Sequence, residues 1–247
     1  MAPLPDGAFK RIAFDGAAGS GAILVDATDA GAIGVAHFEP RFWIARDAVI
    51  AEARGRGSTW IVRSGTHALV LRHYRRGGLV ARVSRDRYLW RGEDATRPFR
   101  ELRLLGRMYL AGLPVPPPVA ALYRRHGATW RGDLLIGFVP GTETLAQRLS
   151  SGNVSLATWA AIGRVIRRFH RHGVFHRDLN AHNILLHDVA DVSLIDFDGA
   201  TLRKPGLWCD GNLVRLRRSL EKINDGAAAG RFDDMQWHCL LGAYQEP

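Results

Sequence analysis

The chain has 247 residues, and its hydrophobic (47%) and charged (23%) fractions are those of an ordinary globular protein. A chain of this length can bury a core without disulfides, and two cysteines make no disulfide framework, so we expect a reducing compartment. The sequence has no signal-peptide pattern and no apolar run of about 18 residues, which predicts a cytosolic protein or one bound peripherally to a membrane. The formal net charge of +10 indicates an anionic partner or substrate.

Arginine supplies nearly all of the positive charge. The only lysines are Lys10, Lys204 and Lys222, so the long stretch between Lys10 and Lys204 contains none. A genome-wide preference for arginine codons is an alternative source of the basic excess. The absence of lysine is informative, because one class of phosphate-binding site normally depends on that residue.

The first half of the chain is rich in strand patterns. Residues 1–54 are rich in glycine and alanine, and they predict an extension with short strands and a helix near Trp43–Arg54. Thr59–Val62 and Ala68–Leu71 are β-rich runs around a polar turn, which predicts a hairpin. Thr96 is a predicted N-cap for a helix over Phe99–Ala111, with Pro98 in its first turn.

The second half changes in character. A proline-rich connector near Pro114–Pro118 leads into two predicted strands, one around Tyr123 and one over Leu134–Val139. An amphipathic helix is predicted from Ser155 onward. This order predicts an α+β fold, in which residues 1–138 form an antiparallel sheet with one helix and residues 139–247 are mainly helical.

The strongest chemical signal is a two-part motif. The segment His176–Asn183 reads His-Arg-Asp-Leu-Asn-Ala-His-Asn, and after two apolar runs it is followed by Asp196-Phe197-Asp198. Phosphoryl transfer needs a carboxylate to orient and deprotonate the attacking hydroxyl, and hard oxygen ligands for Mg²⁺. Asp178 fits the first role, and Asn183 and Asp196 fit the second.

This motif resembles the catalytic loop and metal motif of protein kinases, including the spacing from Asp178 to Asn183. The resemblance implies a two-lobed protein-kinase-like fold that uses ATP with Mg²⁺. It also implies that Asp178 is the catalytic base and that Asn183 and Asp196 hold the metal. Asp198 departs from the usual Asp-Phe-Gly. A third carboxylate there either adds a ligand, binds a water or faces away.

The same resemblance predicts nucleotide-binding residues in the first half. Gly55 and Gly57 match part of a glycine-rich phosphate loop, Trp60 stands where a third glycine is usual, and Val62 matches the residue that packs on adenine. Arg72 stands where kinases have a lysine, and Glu101 is its predicted partner on the following helix. The alternatives are an ordinary turn at Gly55–Gly57, a solvated strand-end arginine and a surface glutamate.

The acceptor is predicted to be a small molecule or a lipid-linked sugar. Only 49 residues follow Asp198, and no Ala-Pro-Glu motif is among them, whereas protein kinases need a long peptide-docking segment. Four segments together resemble the bacterial 3-deoxy-D-manno-octulosonic acid (Kdo) kinases of the lipopolysaccharide kinase family: Leu71–Leu79, Asp86–Trp90, Phe169–Asn183 and Asn212–Lys222.

This second resemblance implies phosphorylation of the 4-hydroxyl of Kdo on a lipid A precursor, in lipopolysaccharide inner-core synthesis. It also implies a peripheral location at the cytoplasmic face of the inner membrane. A nucleic-acid binder is a further alternative that would use the positive charge but leave the catalytic motif unexplained, so no nucleic-acid partner is predicted. Three basic clusters are predicted to bind the anionic acceptor or membrane surface: Arg72/Arg75/Arg76, Arg82/Arg85/Arg87 and Arg215/Arg217/Arg218. The alternatives are solvated arginines, a kinase for heptose or a small alcohol, and a nucleotide-binding pseudokinase.

Overall fold

The structure is a computed structural model that describes residues 9–16, 19–27, 29, 31–53, 59–75, 86–226 and 230–246. It divides into two compact units. One comprises Asp6–Arg107 and Pro117–Phe138, and the other contains Met108–Pro116 and Val139–Pro247. The predicted glycine-rich segment with Gly55 and Gly57 lies outside the described residues.

The first unit is built on an antiparallel sheet. Its described strands follow the order β1-β2-β7-β8-β5-β4-β3, and β6 pairs with β8. Their bounds are β1 (Phe9–Phe14), β2 (Ser20–Asp26), β3 (Val49–Ala53), β4 (Thr59–Ser64), β5 (His67–His73), β6 (Tyr88–Leu89), β7 (Pro118–His126) and β8 (Thr129–Gly137). The predicted hairpin is the β4–β5 pair, in which Val62 lies opposite Leu69.

The two faces of this sheet are covered differently. One face carries Val62, Leu69 and Leu71 and packs against a segment that includes Phe38 and Trp43. Helix α2 (Arg97–Leu110) lies on the other face. Gly132 permits its close approach, because a Cβ atom there would lie 2.7 Å from Cγ of Pro98 and 2.8 Å from the carbonyl of Leu122.

The prediction of a helix near Trp43–Arg54 is wrong in extent. Helix α1 (Pro40–Ile44) ends early, and Val49–Ala53 is strand β3. Asp47 adopts a left-handed backbone conformation with φ of 50°, which breaks helical geometry between the two elements. Most residues of β3 are Val, Ile or Ala. The strand is too short for an alternation of apolar and polar residues to distinguish it from a helix.

The second unit is mainly helical, as predicted. Its helices are α3 (Leu145–Ser151), α4 (Leu156–Arg171), α5 (Trp208–Asn224) and α6 (Asp234–Gln245). Its short strands are β9 (Glu143–Thr144), β10 (Val174–Phe175), β11 (Ile184–Leu186), β12 (Val192–Leu194) and β13 (Thr201–Leu202). Ser155 caps α4 by accepting a hydrogen bond from the Thr158 amide at 3.1 Å. The α+β fold class is therefore confirmed.

Candidate active site

The catalytic-loop motif lies in the second unit, where a 3-10 turn over Ala181–Asn183 leads into β11. Asn180 caps this turn: its Oδ1 accepts a hydrogen bond from the His182 amide at 2.8 Å. The Nδ2 group of the same side chain donates to Oδ2 of Asp178 at 3.1 Å. Asn180 therefore fixes the turn and orients the Asp178 carboxylate, which is 59% exposed and accessible to a substrate.

Asn183 and Asp196 emerge at the same end of the β11–β12 hairpin. Ile184 pairs with Leu194, and one residue further out the amide of Ile195 donates to the carbonyl of Asn183 at 3.1 Å. The Nδ2 of Asn183 donates to the Asp178 carbonyl at 2.9 Å. This bond sets the amide orientation, and Oδ1 of Asn183 keeps no hydrogen bond within the described part of the chain.

Asp196 has a left-handed backbone with φ of 63°, which is unusual for a residue other than glycine. Such conformations cost about 1–3 kcal/mol and concentrate at functional sites, where the surroundings enforce them. Phe197, next along the chain, is 1% exposed, and its ring lies 4.9 Å from the ring of His176 and 5.7 Å from that of Phe169. The buried phenylalanine anchors the backbone that presents Asp196.

His176 joins the two parts of the motif. Its Nε2 donates to the carbonyl of Ile195 at 2.9 Å, and its Nδ1 accepts a hydrogen bond from the amide of Asp178 at 3.2 Å. Because a carbonyl only accepts and an amide only donates, these two contacts require the neutral tautomer with hydrogen on Nε2. Burial lowers the pKa of His176, which favours the same neutral form. His176 is therefore a positioning residue.

A second buried histidine, His170, gives the stability a pH dependence that can be tested. Burial lowers its pKa to about 4 from 6.5. The unfolded chain thus binds more protons than the folded chain between those values, so we expect stability to fall as the pH drops from 6.5 towards 4. The contribution of His170 is at most about 1.4 kcal/mol per pH unit.

We expect His170→Gln to show a shallower slope of unfolding free energy against pH than the parent protein, measured by urea denaturation between pH 6.5 and about 5. His73 has the opposite effect on this slope. Burial alone would lower the pKa of His73, but its hydrogen bond with Asp133 raises it. For this reason the difference between the slopes of the two proteins, and not the absolute slope, gives the contribution of His170. Identical slopes would contradict a lowered pKa at this residue.

In the first unit, Arg72 and Glu101 are brought together. Nη2 of Arg72 lies 2.5 Å from Oε2 of Glu101, which is 3% exposed. Tyr74, which the sequence analysis did not single out, donates its hydroxyl to the same oxygen at 2.5 Å and accepts from Arg72 at 3.1 Å. Alternation along β5 would have suggested Tyr74, because it lies two residues beyond Arg72 and so on the same face.

Val62 does not share the face of Arg72. It is fully buried in the core on the opposite face, so its predicted contact with adenine requires correction. The neighbouring residue, Ile61, pairs with Val70, and Val70 pairs with Ile136. Directly paired residues lie on one face of a sheet, and Val70 is two residues before Arg72. Ile61, Val70 and Ile136 are therefore a partly exposed apolar row on the Arg72 face.

The arginines of the predicted basic clusters differ in their ion-pair partners. Arg217 is paired with Glu221 at 2.9 Å and with Asp234 at 2.7 Å, so it is bound within the protein surface. Arg215 lies 3.4 Å from Asp178. Arg76, Arg82 and Arg85 lie outside the described residues.

The family model described as the lipopolysaccharide kinase (Kdo/WaaP) family matches residues 40–244. The chain belongs to this family. The chain is also 46% identical over 204 residues to a 3-deoxy-D-manno-octulosonic acid kinase of Xylella fastidiosa, covering 82% of this chain and 81% of the relative. A protein of the same name from Stenotrophomonas maltophilia is 43% identical over 232 residues, covering 89% and 92%.

A more distant example is the 3-deoxy-D-manno-octulosonic acid kinase of Photobacterium profundum, which is 40% identical over 212 residues and covers 86% of this chain and 89% of its own length. Membership of this kinase family confirms the predicted phosphotransferase class, with a hydroxyl group as acceptor and ATP as the phosphate donor. The matched range includes both the Arg72–Glu101 pair and the catalytic loop.

Proposed function

We propose that this lipopolysaccharide kinase family member transfers the γ-phosphate of ATP to the 4-hydroxyl of Kdo on a lipid A precursor. The observation that carries the proposal is the accessible Asp178 carboxylate, held by Asn180 on the loop that also presents Asn183. The names of the relatives support the choice of sugar. Heptose and small alcohols remain as competing acceptors for the assay below.

Asp178 is the proposed catalytic base. The acceptor hydroxyl donates to its carboxylate, which takes the proton as the oxygen attacks the γ-phosphorus. The new P–O bond forms while the bond from the γ-phosphorus to the β,γ-bridging oxygen breaks, and ADP leaves. Asn180 restrains Oδ2 of the base through the bond of 3.1 Å, and His176 restrains the backbone at Asp178, so little reorganisation is needed at the moment of transfer.

The residues at the end of the β11–β12 hairpin fit a magnesium ion. Asn183 offers an amide oxygen and Asp196 a carboxylate, and both are hard oxygen donors of the kind that Mg²⁺ prefers. Among the described residues there is no cluster of three or more His, Cys, Asp or Glu side chains able to hold a metal alone. When bound, Mg²⁺ would neutralise charge on the phosphates.

Arg72 is the proposed ligand of the α and β phosphates of ATP. Glu101 and Tyr74 hold its guanidinium, whose planar fork offers several N–H donors where a lysine offers a point charge. The apolar row of Ile61, Val70 and Ile136 is the proposed contact surface for the adenine ring, in place of Val62. The glycine-rich segment with Gly55 and Gly57 is proposed to cover the phosphates.

The lipid-linked acceptor implies action at a membrane surface. In the described part of the chain, none of the helices combines the length and apolar character that crossing a bilayer requires. We propose peripheral association with the anionic cytoplasmic face of the inner membrane, supported by the net charge of +10. No nucleic-acid partner is needed to account for this charge.

The test is transfer of label from γ-labelled ATP to purified acceptors. We expect the full chain to phosphorylate a Kdo-bearing lipid A precursor, and to require Mg²⁺, with no comparable transfer to a heptose-bearing acceptor or an aminoglycoside. Mass spectrometry of the product identifies the modified hydroxyl. Transfer to heptose but not to Kdo would overturn the choice of sugar, and nucleotide binding without any transfer would indicate a pseudokinase.

A further inference from the structure

One face of helix α5 holds the catalytic loop. Nδ2 of Asn212 donates to the carbonyl of His176 at 3.0 Å, and the hydroxyl of Ser219 accepts from the amide of Ala181 at 3.2 Å. Arg215 lies between them on the same face, since residues three and four apart are neighbours along a helix. Its Nη1 lies 3.4 Å from Oδ1 of Asp178. The helix thus brings a cation directly to the proposed base.

The contact of Arg215 with Asp178 contributes little to the stability of the fold. Its side chain is 54% exposed, and that of Asp178 is 59% exposed, so their ion pair is solvent-screened. Exposed pairs of this kind contribute little to stability. Within the described part of the chain, Asp178 is the one hydrogen-bond partner of the Arg215 side chain, and the contact is long. Since a guanidinium has five N–H donors, most of them remain available to a ligand.

Substrate geometry places an acceptor next to this arginine. The reacting hydroxyl must come within about 2.6–3.2 Å of the Asp178 carboxylate. The other groups of the same sugar then lie around Arg215. An octulosonic acid carries a carboxylate on the ring that also bears the hydroxyl, and a guanidinium fork matches a carboxylate with two parallel hydrogen bonds.

We propose that Arg215 binds the carboxylate of the acceptor sugar and thereby sets its hydroxyl against Asp178. This inference rests on the proposed function, because it takes a sugar acid as the acceptor. It makes Arg215 a specificity-determining residue that separates sugar acids from neutral sugars. The bond to the acceptor replaces the long contact with Asp178, whose carboxylate is then released to accept the hydroxyl proton.

The experiment combines one enzyme change with one acceptor change. Arg215→Met is compared with the parent protein on a Kdo-bearing lipid A precursor and on the same acceptor with its Kdo carboxylate converted to a carboxamide. For the parent we expect the carboxamide to raise the acceptor KM by about 10- to 100-fold, the usual range for losing a charge-assisted hydrogen bond. For Arg215→Met we expect the high KM with both acceptors and a kcat within a few-fold of the parent value.

Arg217→Met is the matched control, because it removes an arginine from the same helix that is paired with Glu221 and Asp234. We expect this variant to keep the preference for the carboxylate. An equal preference in the parent and in Arg215→Met would overturn the inference, as would a parent that does not distinguish the two acceptors. A fall in kcat with both acceptors at unchanged KM would also overturn it, because it would place Arg215 at the transferred phosphate. If the parent transfers no phosphate to any Kdo acceptor, the proposed function itself fails.

Discussion

Replacing Asp178 with asparagine is expected to lower kcat about 10²- to 10⁴-fold while leaving nucleotide affinity unchanged. The factor is the usual contribution of a well-placed general base. Asparagine has nearly the same shape and retains an oxygen that accepts the hydrogen bond from Asn180, which is 3.1 Å in the parent. The loop should therefore keep its conformation, and the loss should report proton transfer alone. Steady-state turnover with the Kdo acceptor and calorimetric titration with an ATP analogue measure the two quantities.

Asp191→Asn is the control for this experiment. Asp191 lies just before β12 and is also an exposed aspartate of the second unit, but its side chain faces His187, at 3.5 Å. We expect its turnover to match the parent. Full activity in Asp178→Asn would remove Asp178 from the role of base, whatever the acceptor.

Replacing Arg72 with methionine is expected to destabilise the protein by about 3–5 kcal/mol. Glu101 is 3% exposed, and the change removes the cation that pairs with its buried carboxylate. The double variant Arg72→Met/Glu101→Leu removes both charges, so we expect it to recover most of this loss. Urea denaturation of the parent, both single variants and the double variant gives the coupling between the two residues.

The double variant also separates stability from ligand binding. If Arg72 contacts the phosphates of ATP, the double variant should still have a raised KM for ATP although its stability is recovered. Arg63→Met, which changes an exposed arginine on the neighbouring strand β4, should alter neither quantity. A stable double variant with the parent KM for ATP would limit Arg72 to a structural role.

The proximity of the proposed catalytic and metal-binding residues could be predicted from the sequence, because these residues are closely spaced along the chain. Asp178, Asn183 and Asp196 lie within one loop and one hairpin, so their order along the chain largely determines their proximity. The Arg72–Glu101 pair was also predicted, although 29 residues separate its members. In that case the resemblance to kinases supplied the pairing, since nothing in local periodicity connects a strand to a helix that far away.

Two features of the site could not be predicted from the sequence. Val62 and Ile61 are adjacent in sequence, but neighbouring strand residues face opposite sides of a sheet. The motif match therefore selected a core residue, whereas the partly exposed residue on the Arg72 face is its neighbour. The contact of Arg215 with Asp178 depends on how α5 packs on the loop, and the sequence showed only a basic cluster in which Arg215 and Arg217 looked equivalent.

The arginine at position 72 has a consequence for chemical probes of kinases. Acylating nucleotide reagents that label kinases need a lysine amine beside the phosphates as their nucleophile. A guanidinium stays protonated at any pH a protein tolerates and does not react as that amine does. The lysines of this chain stand at positions 10, 204 and 222, and none of them belongs to the strand that bears Arg72. If Arg72 binds the phosphates as proposed, such reagents would find no lysine amine at that position, and reagents directed at arginine are the appropriate choice for testing it.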